Sequence, residues 1–156
     1  MSFFKATWYL RLFGLIKVPL IFLVRPKVLD LSEKRCEIRI PLNYLTRNHF
    51  KSMYFGTLAI GADCAGGLMT MSLIKKSGKN ISIIFKDYKA EFLKRAEADT
   101  HFICEEGEKI HQLIEETIRT GERVSQPINM TATCPKKFGP EPVARFVLTL
   151  SLKITS

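Results

Sequence analysis

A long uncharged segment near the middle of the chain limits the possible folds more than any other feature. Between Lys51 and Lys75 the only charged side chain is Asp63, and this segment is long enough to cross a bilayer. Three structures fit it: a membrane span, a structural helix in a soluble core, and a core helix that carries a functional acid.

As a membrane span, the segment would contain several glycines and one acid near its middle. The glycines are Gly56, Gly61, Gly66 and Gly67. A charged side chain at the centre of a bilayer costs roughly 2.5 to 3.5 kcal/mol on insertion scales. We therefore do not favour integral membrane insertion.

As a soluble helix, the segment is rich in small residues, and each interior glycine costs about 1 kcal/mol relative to alanine. A sheet that wraps closely around the helix would explain these residues. At helical spacing Asp63 falls on a small-residue stripe, where a substrate would also fit. The stripe consists of Gly56, Ala59, Ile60, Asp63, Gly66, Gly67 and Thr70. The alternative is that Asp63 only caps or hydrogen-bonds a neighbouring strand, and the residues alone favour this alternative.

Hydrophobic periodicity on both sides of this segment predicts an α+β domain. Strands are expected at 36–42, 81–92, 97–104, 124–134 and 144–154, with a helix at 108–120 and a loop at 135–142. The alternation changes phase near Lys86 and Asp87, which predicts a bulge or bend there. Successive strands of this kind indicate an antiparallel sheet with one covered face.

The chain begins with an apolar, basic stretch. Residues 1–29 carry five basic side chains and no acid, which suggests a targeting segment. However, Lys17 and Pro19 interrupt the apolar run that a secretory signal needs. On a helix, Lys5, Arg11 and Lys17 point in directions about 120° apart, whereas a membrane-surface helix needs its charges on one face. We predict an N-terminal helix that is broken near Pro19 and packs on its own domain.

Neither the cysteines nor the histidines are spaced as metal ligands. The four cysteines include no C-x-x-C pair and the three histidines are scattered, so we expect no metal or other cofactor. The cysteines fit reduced core thiols of a cytoplasmic protein. The net charge of +9 suits an anionic partner, such as a phosphate, nucleic acid, anionic lipid or acidic carrier protein. Nucleic-acid binding is not favoured because no recognition motif accompanies the basic residues.

The sequence around Asp63 resembles a thioesterase signature. The stretch MYFGTLAIGADCA is similar to the H-G-G-x-x-x-x-x-A-D-x-A signature of hotdog-fold acyl-CoA thioesterases of the phenylacetate-pathway type. Gly56 and Asp63 match, whereas Tyr54 and Phe55 replace the usual histidine and first glycine. Asn48 lies six residues before Tyr54, where this family tends to carry an asparagine.

The resemblance implies a hotdog fold, in which an antiparallel sheet wraps around a central helix. It covers residues 25–156, so the chain is expected to form a single domain, 1–156, with a helical extension at 1–24. The predicted helix at 108–120 is an insertion relative to the simplest hotdog domain. The N-terminal helix and the lack of a strict H-G-G are similar to features of a divergent, poorly characterised branch of the superfamily. By this resemblance, subunits are expected to pair as homodimers or homotetramers.

The resemblance also implies a catalytic role for several residues. Asp63 would be the base or nucleophile, Asn48 would orient the attacking water, and the backbone N–H groups of Phe55 and Gly56 would bracket the oxyanion. The alternative for Asn48 is a turn or helix-cap residue. Phe55 and Asp63 are separated by eight residues, or about 12 Å along one helix, so two subunits would have to supply them.

The expected substrate is an acyl-CoA or an acyl-carrier thioester. Candidates for contacts with its phosphates are Lys75, Lys76 and Lys79, or alternatively Lys94 and Arg95. Tyr54 is a candidate hydrogen-bond donor to the substrate, and a buried packing role is its alternative. Because two signature positions are altered, the alternative function is a non-catalytic acyl- or acyl-CoA-binding hotdog protein.

Overall fold

The structure, a computed structural model that describes residues 2–155, contains a six-stranded sheet wrapped around a long helix. The elements are α1 (Phe3–Lys17), α2 (Pro19–Leu23), β1 (Lys27–Leu31), β2 (Cys36–Ile40), α3 (Phe55–Ser77), β3 (Ile81–Phe92), β4 (Thr100–Cys104), α4 (Gly107–Thr120), β5 (Val124–Thr133), α5 (Pro135–Phe138) and β6 (Pro142–Ile154). The strand order is β1-β2-β4-β5-β6-β3, and all neighbouring strands are antiparallel. This is the predicted hotdog-like α+β fold.

Helix α3 is the uncharged segment, and it forms the centre of the domain. It begins after Tyr54 and ends at Gly78, whose φ of 67° gives the left-handed conformation common at helix C-termini. The helix is long and apolar enough to cross a membrane, yet 67% of its most apolar 18-residue stretch is buried inside the domain. It packs on β2, β4, β5 and α4. Helix α3 is therefore the predicted core helix.

The glycines of α3 allow the sheet to approach its backbone. A Cβ atom on Gly61 would lie 2.3 Å from the buried ring of Phe102 on β4. A Cβ atom on Gly66 would lie 3.1 Å from the sulfur of Met130 on β5. These contacts confirm that a closely wrapped sheet accounts for the small residues of the helix.

Strand β3 forms one edge of the sheet. It pairs only with β6, and its register shifts between Phe85 and Asp87, which confirms the predicted bulge. Beyond the bulge, Tyr88 points inward, with its ring centroid 6.1 Å from that of the core residue Phe146. Tyr88 and Phe92 nevertheless remain 44% and 53% exposed. The inner face of this half of β3 is therefore largely uncovered within one chain.

Helices α1 and α2 form an N-terminal helix pair that packs on the domain. One helix ends at Lys17 and the next begins at Pro19, so the predicted break is confirmed. The hydroxyl of Thr7 accepts a hydrogen bond of 2.9 Å from the backbone N–H of Val28, which ties α1 to β1. A Cβ atom on Gly14 would lie 2.7 Å from a backbone nitrogen of α2. The two helices are thus in close contact with each other.

Other segments differ from the predicted boundaries. Strand β1 was not predicted, and residues 135–142 contain the short helix α5 as well as loop. The strand expected at 97–104 begins only at Thr100. Beyond these differences, the predicted sheet and the predicted helix at 108–120 are present.

The four cysteines are all buried and unpaired. Burial raises the pKa of the Cys104 thiol to about 11 and also raises the pKa of the Cys36 and Cys64 thiols. These thiols are therefore protonated at neutral pH and fill the core. Within residues 2–155, no group of three or more histidines, cysteines and acids is arranged to hold a metal ion.

Candidate active site

Asp63 lies on the half-buried side of α3 and lines an apolar cavity of about 230 Å³. Its neighbours in this Asp63 cavity are Tyr9, Leu10, Phe13, Val18, Ile21, Cys64, Gly67, Leu68, Met71, Ile83 and Phe85. Among the described residues, none forms a hydrogen bond or an ion pair with the Asp63 carboxylate. The structure therefore gives no support to the alternative in which Asp63 caps or hydrogen-bonds a neighbouring strand.

The surroundings of Asp63 leave its carboxylate accessible but poorly solvated. A Cβ atom on Gly67, one turn further along α3, would lie 3.8 Å from Oδ1 of Asp63 and 3.9 Å from the ring of Phe85. Burial raises the pKa of Asp63 above its ordinary value. Desolvation of this kind makes the ionised carboxylate a stronger base.

A second opening, the α3 N-terminal cleft, has a volume of about 370 Å³. It is lined by Asn48, Ser52, Met53, Phe55, Leu58, Phe92, Leu93, Lys94, Arg95 and Ala96. The first hydrogen bond of the helix runs from the N–H of Leu58 to the carbonyl of Tyr54, at 3.1 Å. The three preceding N–H groups, on residues 55–57, donate to no other described residue. They are free donors at the positive end of the helix dipole.

Tyr54 and Gly56 are packed against each other at this helix start. A Cβ atom on Gly56 would lie 2.4 Å from the ring of Tyr54, so a larger residue at this position would displace the tyrosine. The rings of Tyr54 and Phe55 are 4.7 Å apart between centroids. Tyr54 is 48% exposed in the single chain, so it is not a buried packing residue there.

Asn48 holds a turn at the edge of the α3 N-terminal cleft. Its Oδ1 accepts hydrogen bonds from the N–H of Phe50 at 2.9 Å and from the N–H of Ser52 at 3.2 Å. The turn contains Lys51 in the left-handed region, with φ of 61°. The turn role considered for Asn48 is thus present in the structure. Its Nδ2 group donates to no residue within 2–155, and it remains available to a ligand.

The predicted catalytic residues are divided between the two openings. Asp63 lines one, whereas Asn48 and Phe55 line the other, and the two share no lining residue. Residues 55 and 63 lie on the same helix, so their backbones are about 12 Å apart along its axis. A single chain therefore does not bring the acid and the oxyanion donors to one thioester.

The structure does not bring the three candidate lysines to either opening. Lys75, Lys76 and Lys79 lie at or beyond the C-terminal end of α3, about 30 Å along the helix from Phe55. The ammonium group of Lys76 pairs with Glu33 at 2.8 Å. By contrast, the alternative candidates, Lys94 and Arg95, line the α3 N-terminal cleft.

The contribution of the N-terminal helix pair to the Asp63 cavity was not predicted. Tyr9, Phe13 and Val18 line this cavity together with the carboxylate. Apolar residues of a core and of a binding cavity have the same chemistry, so the sequence carries no signal that separates them.

Comparison with known families gives one match that covers most of the chain. The family model described as Domain of unknown function (DUF4442) matches residues 6–140. No curated protein matches the sequence at a significant level.

Several solved structures share the fold over nearly the whole chain. PA5026 from Pseudomonas aeruginosa, a protein of unknown function, is 21% identical with a TM-score of 0.79, and 96% of each chain is covered. The thioesterase HI1161 from Haemophilus influenzae is 13% identical with a TM-score of 0.71, covering 99% of this chain and 92% of its own. A thioesterase family protein from Silicibacter pomeroyi is 18% identical with a TM-score of 0.68, covering 99% and 100%. At these identities the similarity establishes the fold alone.

Proposed function

We propose that this chain, which belongs to the DUF4442 family, hydrolyses acyl thioesters at a site that two copies of the chain build together. The observation that carries this proposal is the carboxylate of Asp63, which lines an apolar cavity and has no hydrogen-bond partner among residues 2–155. A structural carboxylate in such a place would find a partner, because desolvation without one is costly. An apolar cavity with one basic group suits an acyl chain that ends in a thioester.

A second copy of the chain would supply the missing donors. Strand β3 has 12 residues and is unpaired along one edge, which makes it a template for another strand. Its inner face exposes Tyr88 and Phe92, and the side of α3 that carries Asp63 and Gly67 is only half buried. Pairing two β3 edges about a two-fold axis would cover these surfaces and carry the partner's α3 N-terminus towards Asp63. This interface supports a homodimer, and two such dimers would form a homotetramer.

In this arrangement each group has a definite task. The Asp63 carboxylate takes a proton from a water molecule, whose oxygen forms a bond with the thioester carbonyl carbon. The free N–H groups of Phe55 and Gly56 on the other copy stabilise the negative charge that develops on the carbonyl oxygen. The C–S bond then breaks, and the leaving sulfur takes the proton from Asp63 and departs as a thiol, which returns Asp63 to its carboxylate form. Asn48, whose Nδ2 group donates to none of the described residues, lies in the cleft of these donors and would orient the water or the thioester.

The phosphates of coenzyme A would lie along the α3 N-terminal cleft. Arg95 lines this cleft with its guanidinium 5.0 Å from the ring centroid of Phe50, and it pairs with no acid among residues 2–155. Lys94 also lines the cleft but already pairs with Glu141. Arg95 is therefore the stronger candidate for a phosphate contact. Tyr54 remains a candidate substrate donor because its ring lies against Phe55, which lines the same cleft. The protonated core thiols are compatible with a cytoplasmic location.

Thiol release from a panel of acyl-CoA substrates tests this function. We expect turnover by the natural chain and a loss of about 100-fold or more in Asp63→Asn, which keeps the shape but removes the basic oxygen. Glu115→Gln, on the exposed side of α4, is the matched carboxylate-to-amide control and should keep full activity. Equal rates for the natural chain and Asp63→Asn would refute the catalytic role of Asp63. Acyl-CoA binding without any thiol release would establish the non-catalytic alternative.

A further inference from the structure

The outward face of the N-terminal helix pair is apolar and exposed, and the proposed thioester site does not use it. Phe4, Trp8, Leu12 and Ile16 recur at every fourth position of α1 and are 73%, 55%, 55% and 66% exposed. The opposite face of α1, with Ala6, Leu10 and Gly14, is buried against the domain. Helix α2 adds Leu20, Phe22 and Leu23 to the exposed set. A helix that is apolar on both faces is stable where both faces have an apolar partner.

Exposed basic side chains lie in the same N-terminal segment as this face. The four that are exposed are Lys5, Lys17, Arg25 and Lys27. None of them pairs with an acid in the part of the chain that the structure describes, and residues 1–29 contain no acid. The fifth, Arg11, donates from Nε to the carbonyl of Pro26, between α2 and β1, at 3.0 Å, so it is not a free cation. Lys5 and Lys17 still point about 120° apart around α1, but they lie in its first and last turns, at the two ends of the exposed apolar row.

We propose that the N-terminal helix pair docks on the surface of an anionic phospholipid membrane. The outward side chains, with Trp8 among them, would enter the boundary between head groups and acyl chains, and the four exposed cations would contact lipid phosphates. A second copy of the chain fits this face less well than an anionic membrane does, because a two-fold contact would bring four cations towards four others. The docking is peripheral, since α3 stays in the core, and it does not depend on thioester hydrolysis.

Trp8 is the only tryptophan of the chain, so its fluorescence reports on this face without a label. We expect vesicles of phosphatidylcholine mixed with phosphatidylglycerol to shift the emission to shorter wavelength and to protect Trp8 from acrylamide. Phosphatidylcholine alone should have a much smaller effect, and added salt should weaken binding to the anionic vesicles. No shift with anionic vesicles would overturn the proposal. A shift that depends on protein concentration without lipid would show that a second copy covers the face, and it would also overturn the proposal.

Substitutions separate the apolar and the electrostatic parts of docking. Leu12→Gln and Ile16→Gln should each lower the apparent affinity for anionic vesicles by about tenfold, since each removes an exposed apolar contact. Leu45→Gln changes a similarly exposed leucine away from the helix pair and should leave vesicle binding unchanged. The double variant Lys5→Gln, Lys17→Gln should lose most of the preference for anionic lipid. Equal binding by all these variants would refute docking through this face.

Discussion

Replacing Phe55 with proline tests directly whether a backbone N–H at the start of α3 stabilises the oxyanion. Phe55 is the first residue of the helix, where the fixed φ of proline fits and the helix does not need the N–H. Tyr54 before it has φ −63° and ψ 137°, the extended conformation that a residue preceding proline adopts. The substitution therefore removes one donor and keeps the helix.

The expected loss is that of a single oxyanion donor, about 10² to 10³ in kcat, or roughly 2.7 to 4 kcal/mol of transition-state stabilisation. Thiol release from the best acyl-CoA substrate gives kcat, and thermal unfolding gives the stability of each variant. Phe55→Ala is the matched control, because it removes the exposed ring but keeps the N–H, and its kcat should change only a few-fold. Equal kcat values for the proline and alanine variants would refute the role of this N–H. A large fall in Tm for Phe55→Pro alone would assign the loss to the helix instead.

Three further predictions follow from the packing and charges of the site. Gly61→Ala should lower the Tm, because its Cβ would lie 2.3 Å from a buried ring and overpacking costs about 1 to 3 kcal/mol. Gly67→Ala should raise the Tm, because the nearest neighbour of its Cβ would be 3.8 Å away. The reverse order of Tm values in thermal unfolding would contradict this packing. Burial raises the pKa of Asp63 in the native state above its unfolded-state value. Asp63 therefore contributes its full stabilisation below the unfolded-state pKa, and this contribution is lost as the pH rises through the native-state pKa. Asp63→Asn should therefore melt above the natural chain at neutral pH, with the difference shrinking on acidification, and a difference independent of pH would be inconsistent with this pKa. Arg95→Gln should raise KM for acyl-CoA with little change in kcat, while Lys79→Gln should change neither, and identical KM values for the two variants would exclude a phosphate contact at Arg95.

The central part of the fold could be predicted because its constraints are local. The uncharged segment with its glycines indicates a helix approached closely by a sheet, and the contacts at Gly61 and Gly66 are of that kind. The change of phase in β3 likewise marks the bulge between Phe85 and Asp87. Strand β1 has only five residues, and its register with β2 shifts at Asp30, so its alternation is too short to be recognised.

The candidate site was harder to predict because it depends on contacts between distant residues. Asp63 stands out as the one acid of its segment, but Tyr9 and Phe13 of α1 line the cavity in front of it, and nothing in the sequence links these residues to position 63. The lysines at the C-terminal end of α3 are different, because helix length alone places Lys75 about 30 Å from Phe55. In that case, the information needed to exclude a phosphate contact near the helix start was already in the sequence.

Mixing two inactive variants tests the central claim that one thioester site draws on two chains. Asp63→Asn and Phe55→Pro should each be nearly inactive alone. If the acid and the N–H come from different copies, each mixed dimer contains one site with both groups intact, and equal mixing should restore about a quarter of the natural activity. Co-expression with two different affinity tags isolates the mixed dimers, in which one of the two sites is intact, so their thiol-release rate should be about half the natural rate. Activity that stays at the average of the two single variants would contradict the account.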